Sequence, residues 1–402
     1  MFLLINRNRG RISLLILNAL LAGSLLVPFT SVKTAFGADI KLIPSCELKE
    51  EYNDNVFLTT DNRGSDWITT LTPGLAFSHA SERLNIELLT GLSWREYART
   101  KDIDTLDYQY NAQVAKKLSL QDDLGLSAIH VRNTRPDSIS ESTGLAAKSG
   151  TDHYQYSASL GRLINETTSA SLAYSFVQDE YDNPASLANH VHNLNMIISK
   201  DLGSVMPLLK GKLSSNFSRA VYRDSTSDNY TISIGANRNI NEKISVNLSA
   251  GGHLVHFKSM SGLVESNDSW GAIGSALLNY TGEKGFGALS FAHNYSAASG
   301  QVGAVETTSF GLTLGRSLSD KTTAQIAASY NINREVSGQY STRGSDNNRV
   351  INLKTDIVNK ISKYFDIGIQ YAYYTVTYDL SESQISQNSV MLRVVAKYPV
   401  TL

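Results

Sequence analysis

The sequence predicts an all-β chain folded as a transmembrane up-and-down antiparallel β-barrel of about 18 strands, with short periplasmic turns and longer extracellular loops. Three observations carry this. Side chains alternate between apolar and polar with a period of two almost to the end of the chain. The links between alternating segments are by turns very short and long. An export signal opens the chain, yet no later apolar run approaches the roughly 18 residues that a spanning helix needs.

The signal comes first. Arg7, Arg9 and Arg11 precede the apolar stretches Ile12–Leu17 and Ala19–Val27, and small residues follow at Ala35-Phe36-Gly37. This is the layout of a cleaved secretory signal peptide. It divides the chain into a signal over 1–37 and a barrel domain over 38–402, located in the cell outer membrane. Cys46 stands alone, so no intrachain disulfide stabilises the exported chain, and Pro44 beside it does not suit a lipid-attachment site. Basic residues number 36 and acidic ones 37; without Arg7, Arg9, Arg11 and Lys33 the basic count falls to 32, a net charge of about −5. That mild acidity argues against nucleic acid as a partner.

Period-two segments fall at 46–58, 67–79, 82–97, 106–118, 123–135, 150–163, 166–178, 189–201, 206–221, 227–240, 242–258, 268–281, 284–297, 304–317, 320–334, 348–360, 363–379 and 386–401. Alternation at this period belongs to strands, not helices. Leu84, Ile86, Leu88, Leu92 and Trp94 share one face of the third segment, and Asn85, Glu87, Gly91, Ser93 and Arg95 the other. The sixth segment sets Tyr154, Tyr156, Ala158 and Leu160 against Gln155, Ser157, Ser159 and Gly161; the seventh sets Ala170, Leu172, Tyr174 and Phe176 against Ser169, Ser171 and Ser175. Small polar residues on the second face fit a wet lumen, and the apolar face fits lipid. The first segment alternates poorly at Leu48–Tyr52. The fifth changes phase from Leu124 and Leu126 to Ile129 and Val131, which suggests a bulge.

Short links occur at Ala80-Ser81, Ser119–Asp122, Asn165-Glu166, Gly203-Ser204, Asn241-Glu242, Gly282–Lys284, Ser319-Asp320 and Ser362-Lys363. Longer polar links lie between them at Thr59–Asp66, Pro136–Ser149, Gln178–Ala188, Ser259–Asn267 and Glu335–Asn347. A barrel with tight turns at one rim and long loops at the other produces this order, and it puts both termini in the periplasm. Twenty tyrosines, twelve phenylalanines and three tryptophans supply aromatic residues suited to the two membrane interfaces. A β-propeller would need a blade-length repeat, and none recurs.

Glu50-Glu51-Tyr52-Asn53-Asp54-Asn55-Val56-Phe57-Leu58-Thr59, followed by Ser65-Asp66-Trp67-Ile68-Thr69-Thr70-Leu71-Thr72-Pro73-Gly74-Leu75, resembles the opening of the outer-membrane family called beta-barrel porin 2. Its members commonly accompany exopolysaccharide gene clusters. The resemblance implies an outer-membrane location and a role in moving polysaccharide across that membrane. One departure from barrel proteins generally is the end of the chain, which closes on Leu402 and leaves Tyr398 as the terminal aromatic read by the assembly machinery.

A barrel of this size leaves an aqueous channel, so the expected function is a porin-like channel for exopolysaccharide export or solute passage. The charges expected to line the lumen are Glu87, Arg95, Asp107, Lys117, Lys210, Lys212, Lys354, Asp356, Asp366 and Arg393, with Lys397 near the end. Basic residues outnumber acidic ones among them, which predicts a weak preference for anionic solutes; mutual pairing across the lumen is the competing reading. Asn53-Asp54-Asn55 with Glu50 and Glu51 offers oxygen ligands for calcium, but strand-edge polarity accounts for it more simply. His190 and His192, with His153, offer a metal site, though histidines near a strand mouth are more often interfacial. Neither cofactor nor metal is expected.

Two other classes compete with the channel. One is a non-conducting docking or adhesion barrel. The other is an outer-membrane hydrolase, for which no G-x-S-x-G or H-E-x-x-H motif is present, so an enzyme is not expected. Expected partners are outer-membrane lipid, a polysaccharide, periplasmic export machinery and the outer-membrane assembly machinery.

Overall fold

A computed structural model of the protein describes residues 39–137, 150–182, 188–223, 225–259, 267–297, 304–336 and 347–401. The expected signal peptide and Leu402 lie outside the described residues. Odd-numbered strands run from the short-turn rim to the long-loop rim: β1 (Asp39–Asn53), β3 (Leu84–Tyr97), β5 (Asp122–Asn133), β7 (Thr168–Tyr181), β9 (Leu209–Tyr222), β11 (Ile244–Ser259), β13 (Gly285–Ala297), β15 (Thr322–Glu335) and β17 (Phe365–Tyr378). Their partners return: β2 (Asp66–Ala80), β4 (Thr105–Lys117), β6 (Thr151–Asn165), β8 (Asn189–Asp201), β10 (Ser225–Asn239), β12 (Asn267–Thr281), β14 (Ala304–Ser317), β16 (Asn348–Lys360) and β18 (Gln384–Lys397).

Each strand pairs antiparallel with its sequence neighbour, and β1 pairs with β18 from Ser45 opposite Lys397 to Asn53 opposite Ser389. The sheet therefore closes on itself as a barrel, the condition for a sheet to stand in lipid. Among the described residues the only helical turn is a 3-10 turn at Lys101–Ile103.

Alternation along the strands decides what faces lipid. Leu248, Ile234, Leu289, Leu314 and Ile369 point outward from the middle of the wall and are exposed. All three tryptophans point outward in the half nearer the long loops: Trp67 is 48% exposed, Trp94 54% and Trp270 85%. Tyr52 packs on Trp67 with ring centroids 5.3 Å apart. Outward aromatics at this height suit the membrane interface of a transmembrane barrel. At the opposite rim Tyr364 and Tyr398 stack at 5.4 Å.

Three local readings differ from the sequence expectation. The first strand begins at Asp39 rather than 46 and ends at Asn53, because Asp54–Thr59 turns into the loop. Proline is the cause of the broken ladder near its start, since it has no N–H to donate. Pro44 accepts from the Tyr398 amide, pairing lapses opposite Tyr398 and Pro399, and it resumes with Lys41 opposite Thr401 and Leu42 opposite Val400. The second difference is at β5, which keeps unbroken register with both neighbours and contains no bulge. Leu124 and Leu126 do face lipid while Ile129 and Val131 face the lumen, where His130 takes the outward place, stacked on Tyr154 at 4.1 Å. A register shift occurs instead between Leu163 and Asn165 of β6. Third, link lengths do not alternate everywhere: Leu202–Leu208 is long for its rim, and at the other rim β10 starts at Ser225 soon after β9 ends at Tyr222.

Candidate functional site: the barrel lumen

The lumen wall at mid-height is built from small polar side chains bonded across neighbouring strands. Ser127 meets Ser157 at 2.6 Å, Ser214 meets Ser233 at 2.6 Å, and Ser249 meets Ser275 at 2.7 Å. Short hydroxyls of this kind satisfy one another and leave the bore free, whereas longer side chains would fill it. Below this belt, toward the short turns, lumen-facing residues such as Glu87, Lys117, Lys210 and Lys212 are exposed.

Above the belt the lumen-facing residues are buried. Glu51, Ile68, Arg95, Tyr97 and Asp107 on β1–β4, Val255 and Phe257 on β11, and Val350 and Val376 on β16 and β17 are all 7% exposed or less. Two inward-folded segments account for much of this on the β1–β5 side. Residues after β1 bring Val56 against Ile68 and Tyr97, with Ile103 packed on the cluster. The segment Thr134–Asp137, leaving β5, reaches past β4, β3 and β2 to β1 and β18.

Arg135 is the centre of that crossing. Its Nη1 and Nη2 donate to the two oxygens of Glu51 at 2.9 Å each, and its Nε and Nη2 donate to Asp137 at 2.7 and 2.6 Å. Paired planar contacts of this sort are the strongest hydrogen bonds available to side chains. Asp137 also accepts from Asn53 Nδ2 at 2.8 Å and from Gln387 Nε2 at 2.9 Å. Burial pushes the Asp137 carboxyl up, but the charge of Arg135 and bonds from Arg135 and Gln387 outweigh it and hold the carboxyl below its ordinary value. For Arg135, burial acts downward, and the two carboxylates beside it raise it well above the ordinary guanidinium value.

The acidic stretch at the end of β1 is the other half of this latch. Asn55 donates from Nδ2 to Thr59 O and to Ser386 O, both at 2.9 Å, and Asp54 accepts from the Asn388 amide and side chain at 2.6 and 2.8 Å. These oxygens are thus committed to the barrel closure and to the inward segment, and Glu50 lies on the outward face bonded to Thr69 at 2.7 Å. The calcium reading is overturned by this geometry. Asp66 does comparable work at the start of β2, accepting from the amides of Trp67 at 2.8 Å, Arg99 at 3.0 Å and Thr100 at 2.9 Å. The histidine reading fails for a different reason. His153 faces the lumen, bonded to Asp179 at 2.7 Å, while His190 and His192 face outward, His192 meeting the Tyr174 hydroxyl at 2.8 Å.

The ten charges expected from sequence all project inward, but they do not form one group. Arg95 pairs with Asp107 at 2.9 Å within the buried outer part. Arg393 reaches across β17 to Asp356 at 3.1 Å, and Lys397 bonds Asp366 at 2.5 Å. The first of these crossings needs Gly368, where a Cβ would lie 2.7 Å from Arg393 Nε. Lys117, Lys210, Lys212, Lys354 and Glu87 have no ion-pair partner among the described residues. Sequence reasoning missed Arg135, Asp137 and Gln387, and met Glu51 only as a candidate calcium ligand. Only the charged Arg135-Pro136-Asp137 opening of a long link hinted at them.

A hydrolytic arrangement on the outer wall comes nearest at His293, whose Nδ1 lies 2.8 Å from Thr308 Oγ1. The Glu306 carboxylate is 3.9 Å from Nε2, beyond hydrogen-bond reach, and Tyr295 donates to it at 3.0 Å.

Solved structures with a similar fold include OccAB4 of Acinetobacter baumannii (8% identity over 90% of this chain and 98% of that one, TM-score 0.49) and OccK9 of Pseudomonas aeruginosa (9% identity, 91% and 99%, TM-score 0.48). The outer membrane channel DcaP of Acinetobacter baumannii is a third (11% identity, 91% and 99%, TM-score 0.44). No curated protein matches by sequence. Residues 40–196 match the family model described as putative beta-barrel porin 2, the family that Glu50–Thr59 and Ser65–Leu75 resemble.

Proposed function

We propose that the protein is an aqueous channel that favours anionic solutes, with an acidic exopolysaccharide as its cargo. The observation that carries this is the distribution of lumen charge. Asp107, Asp356 and Asp366 are each bound to a cation, whereas Lys117, Lys210, Lys212 and Lys354 stand free on the wall against Glu87. A bore with a surplus of unpaired charge of one sign concentrates counter-charged solutes. The Arg135 latch narrows the outer end, so a polymer leaving through the lumen meets the lysines first and the constriction last.

The reading extends to export of the chain by its N-terminal signal and to delivery of glycan from a periplasmic machine to the short-turn rim. Reversal potentials across a planar bilayer under a salt gradient test selectivity, and clear cation preference overturns it. Surface glycan staining of a deletion strain tests the cargo, with undiminished glycan as the opposing result.

A further inference from the structure

The barrel wall is not zipped along its whole height. β12 pairs with β11 from Asn267 to Tyr280 and β13 with β14 from Gly285 to Ala297, but β12 and β13 pair with each other only from Gly274 opposite His293 to Thr281 opposite Phe286. Above Gly274 the facing edges, Asn267–Ile273 and Asn294–Ala297, have separated. The junction lies four residues below the outward Trp270, roughly 10 Å deeper into the membrane by strand rise and tilt.

Side-chain contacts show how the edges separate. Tyr295 shares the outward face of β13 with Leu289 and His293, yet its ring stacks on His253, with centroids 3.4 Å apart, and His253 shares the lumen face of β11 with Ser249 and Val255. Ala304 at the head of β14 and Val336 just past β15 pack with Tyr295 on Val255. The outer face of the β13–β14 hairpin therefore lies against the inner face of β11–β12, and the wall overlaps itself. Gly271 permits this, because a Cβ there would lie 2.7 Å from His253 Cε1 and 2.8 Å from the Tyr295 hydroxyl.

Unpaired backbone at membrane depth is tolerated only where it lines a cavity or is covered by protein. We infer that this seam is a lateral portal between the lumen and the outer leaflet, and that it takes an uncharged amphiphile with one apolar tail and a hydroxyl-bearing head. Trp270 on the lipid side and Tyr295, Val255 and Ala304 behind it supply apolar contact. The polar groups select the head. His253 is 5% exposed; its Nδ1 lies 3.1 Å from Gly271 O and so carries the proton, which leaves Nε2 as an acceptor that has no partner. Glu306 adds a second acceptor nearby. Two acceptors call for a donor, as in a long-chain alcohol or an alkyl glycoside, and disfavour a carboxylate. This inference is independent of the anion preference in the main bore.

The test uses the full barrel in lipid nanodiscs with dodecyl maltoside carrying a diazirine in its tail, and fragment sequencing of the labelled peptides. Label on His253, Val255 and Tyr295, competed by dodecanol and not by dodecanoate, is expected. His253→Phe keeps the ring stack and removes the acceptor, so labelling of Val255 and Tyr295 should fall about tenfold at equal probe concentration. Label confined to outward residues such as Leu248 and Trp270, or equal competition by dodecanoate, overturns the portal. Amide hydrogen exchange checks the seam itself in the same sample: Ser269–Ile273 should exchange much faster than Gly251–Val255 in β11, and equal protection would overturn it.

Discussion

Replacing Arg135 should open the outer end of the channel without unfolding the barrel. In Arg135→Gln, Glu51 and Asp137 lose their shared cation while both remain 5% and 4% exposed as residue and side chain respectively. Breaking a buried pair by removing one partner costs about 3–5 kcal/mol, because a carboxylate is left uncompensated. That cost falls on the docking of Thr134–Asp137, not on the strand ladder, and it shifts the docked-to-undocked ratio by about two to three orders of magnitude. Single-channel recording should therefore show higher conductance with more flicker, and limited proteolysis should cut near Arg135 where the native protein resists. Acid should act in the same direction. The Asp137 carboxyl titrates below its ordinary value when docked, so its contribution is fully present above about pH 4 and is lost as the pH falls through the lower docked value. If Arg135→Gln leaves conductance and protease resistance as in the native protein, the segment does not constrict the bore and the reasoning fails.

The other predictions test the wall. Lys210→Gln, Lys212→Gln and Lys354→Gln together should move the reversal potential toward cation selectivity, and an unchanged potential would place the selective charges elsewhere. Adjacent residues should differ sharply: Leu248→Arg, in lipid near mid-height, should lose about 2–4 kcal/mol of folding stability, whereas Ser249→Arg, in the lumen, should fold and reduce conductance. Urea midpoints for folding into vesicles read the first, and similar midpoints for both would overturn the face assignment. Gly368→Val should cost about 1–3 kcal/mol, because its side chain would displace Arg393 from Asp356. A midpoint unchanged from native would show that the crossing adds nothing.

The strands were legible because a two-residue period persists wherever one face meets lipid, and β8, β14 and β16 have the bounds that alternation predicts. β1 was not, since Pro44 interrupts its ladder and Lys49 and Glu51 belong to a lumen face with no apolar contrast. β5 misled because Ile129 and Val131 point into the lumen while His130, among Tyr108, Tyr110 and Tyr154, faces outward. The inward direction of the lumen charges followed from the same alternation. Their pairing did not, because Arg393 meets Asp356 two strands away and Arg135 meets Glu51 across four. Contacts so far apart in sequence leave no local spacing. The seam between β12 and β13 left no trace either, as both strands alternate normally through it.

The position of the latch explains why the acidic stretch of β1 is where it is. Asn53 ends the strand that closes the barrel; it donates to Asp137 and accepts from Gln387 of β18 at 3.1 Å, so one side chain joins the first strand, the last strand and the inward segment. Gln387 donates to Asp137 as well. The acceptor site for Thr134–Asp137 is therefore split between the two ends of the chain and is incomplete until β1 and β18 meet. Before closure, Arg135 and Asp137 would have to give up water for half a site, which is unfavourable for buried charges. Docking of Thr134–Asp137 therefore depends on closure of β1 on β18. Gln387→Ala should separate the two processes: the register of β1 on β18 rests on backbone pairing and survives, while Asp137 loses a donor and the outer end loosens.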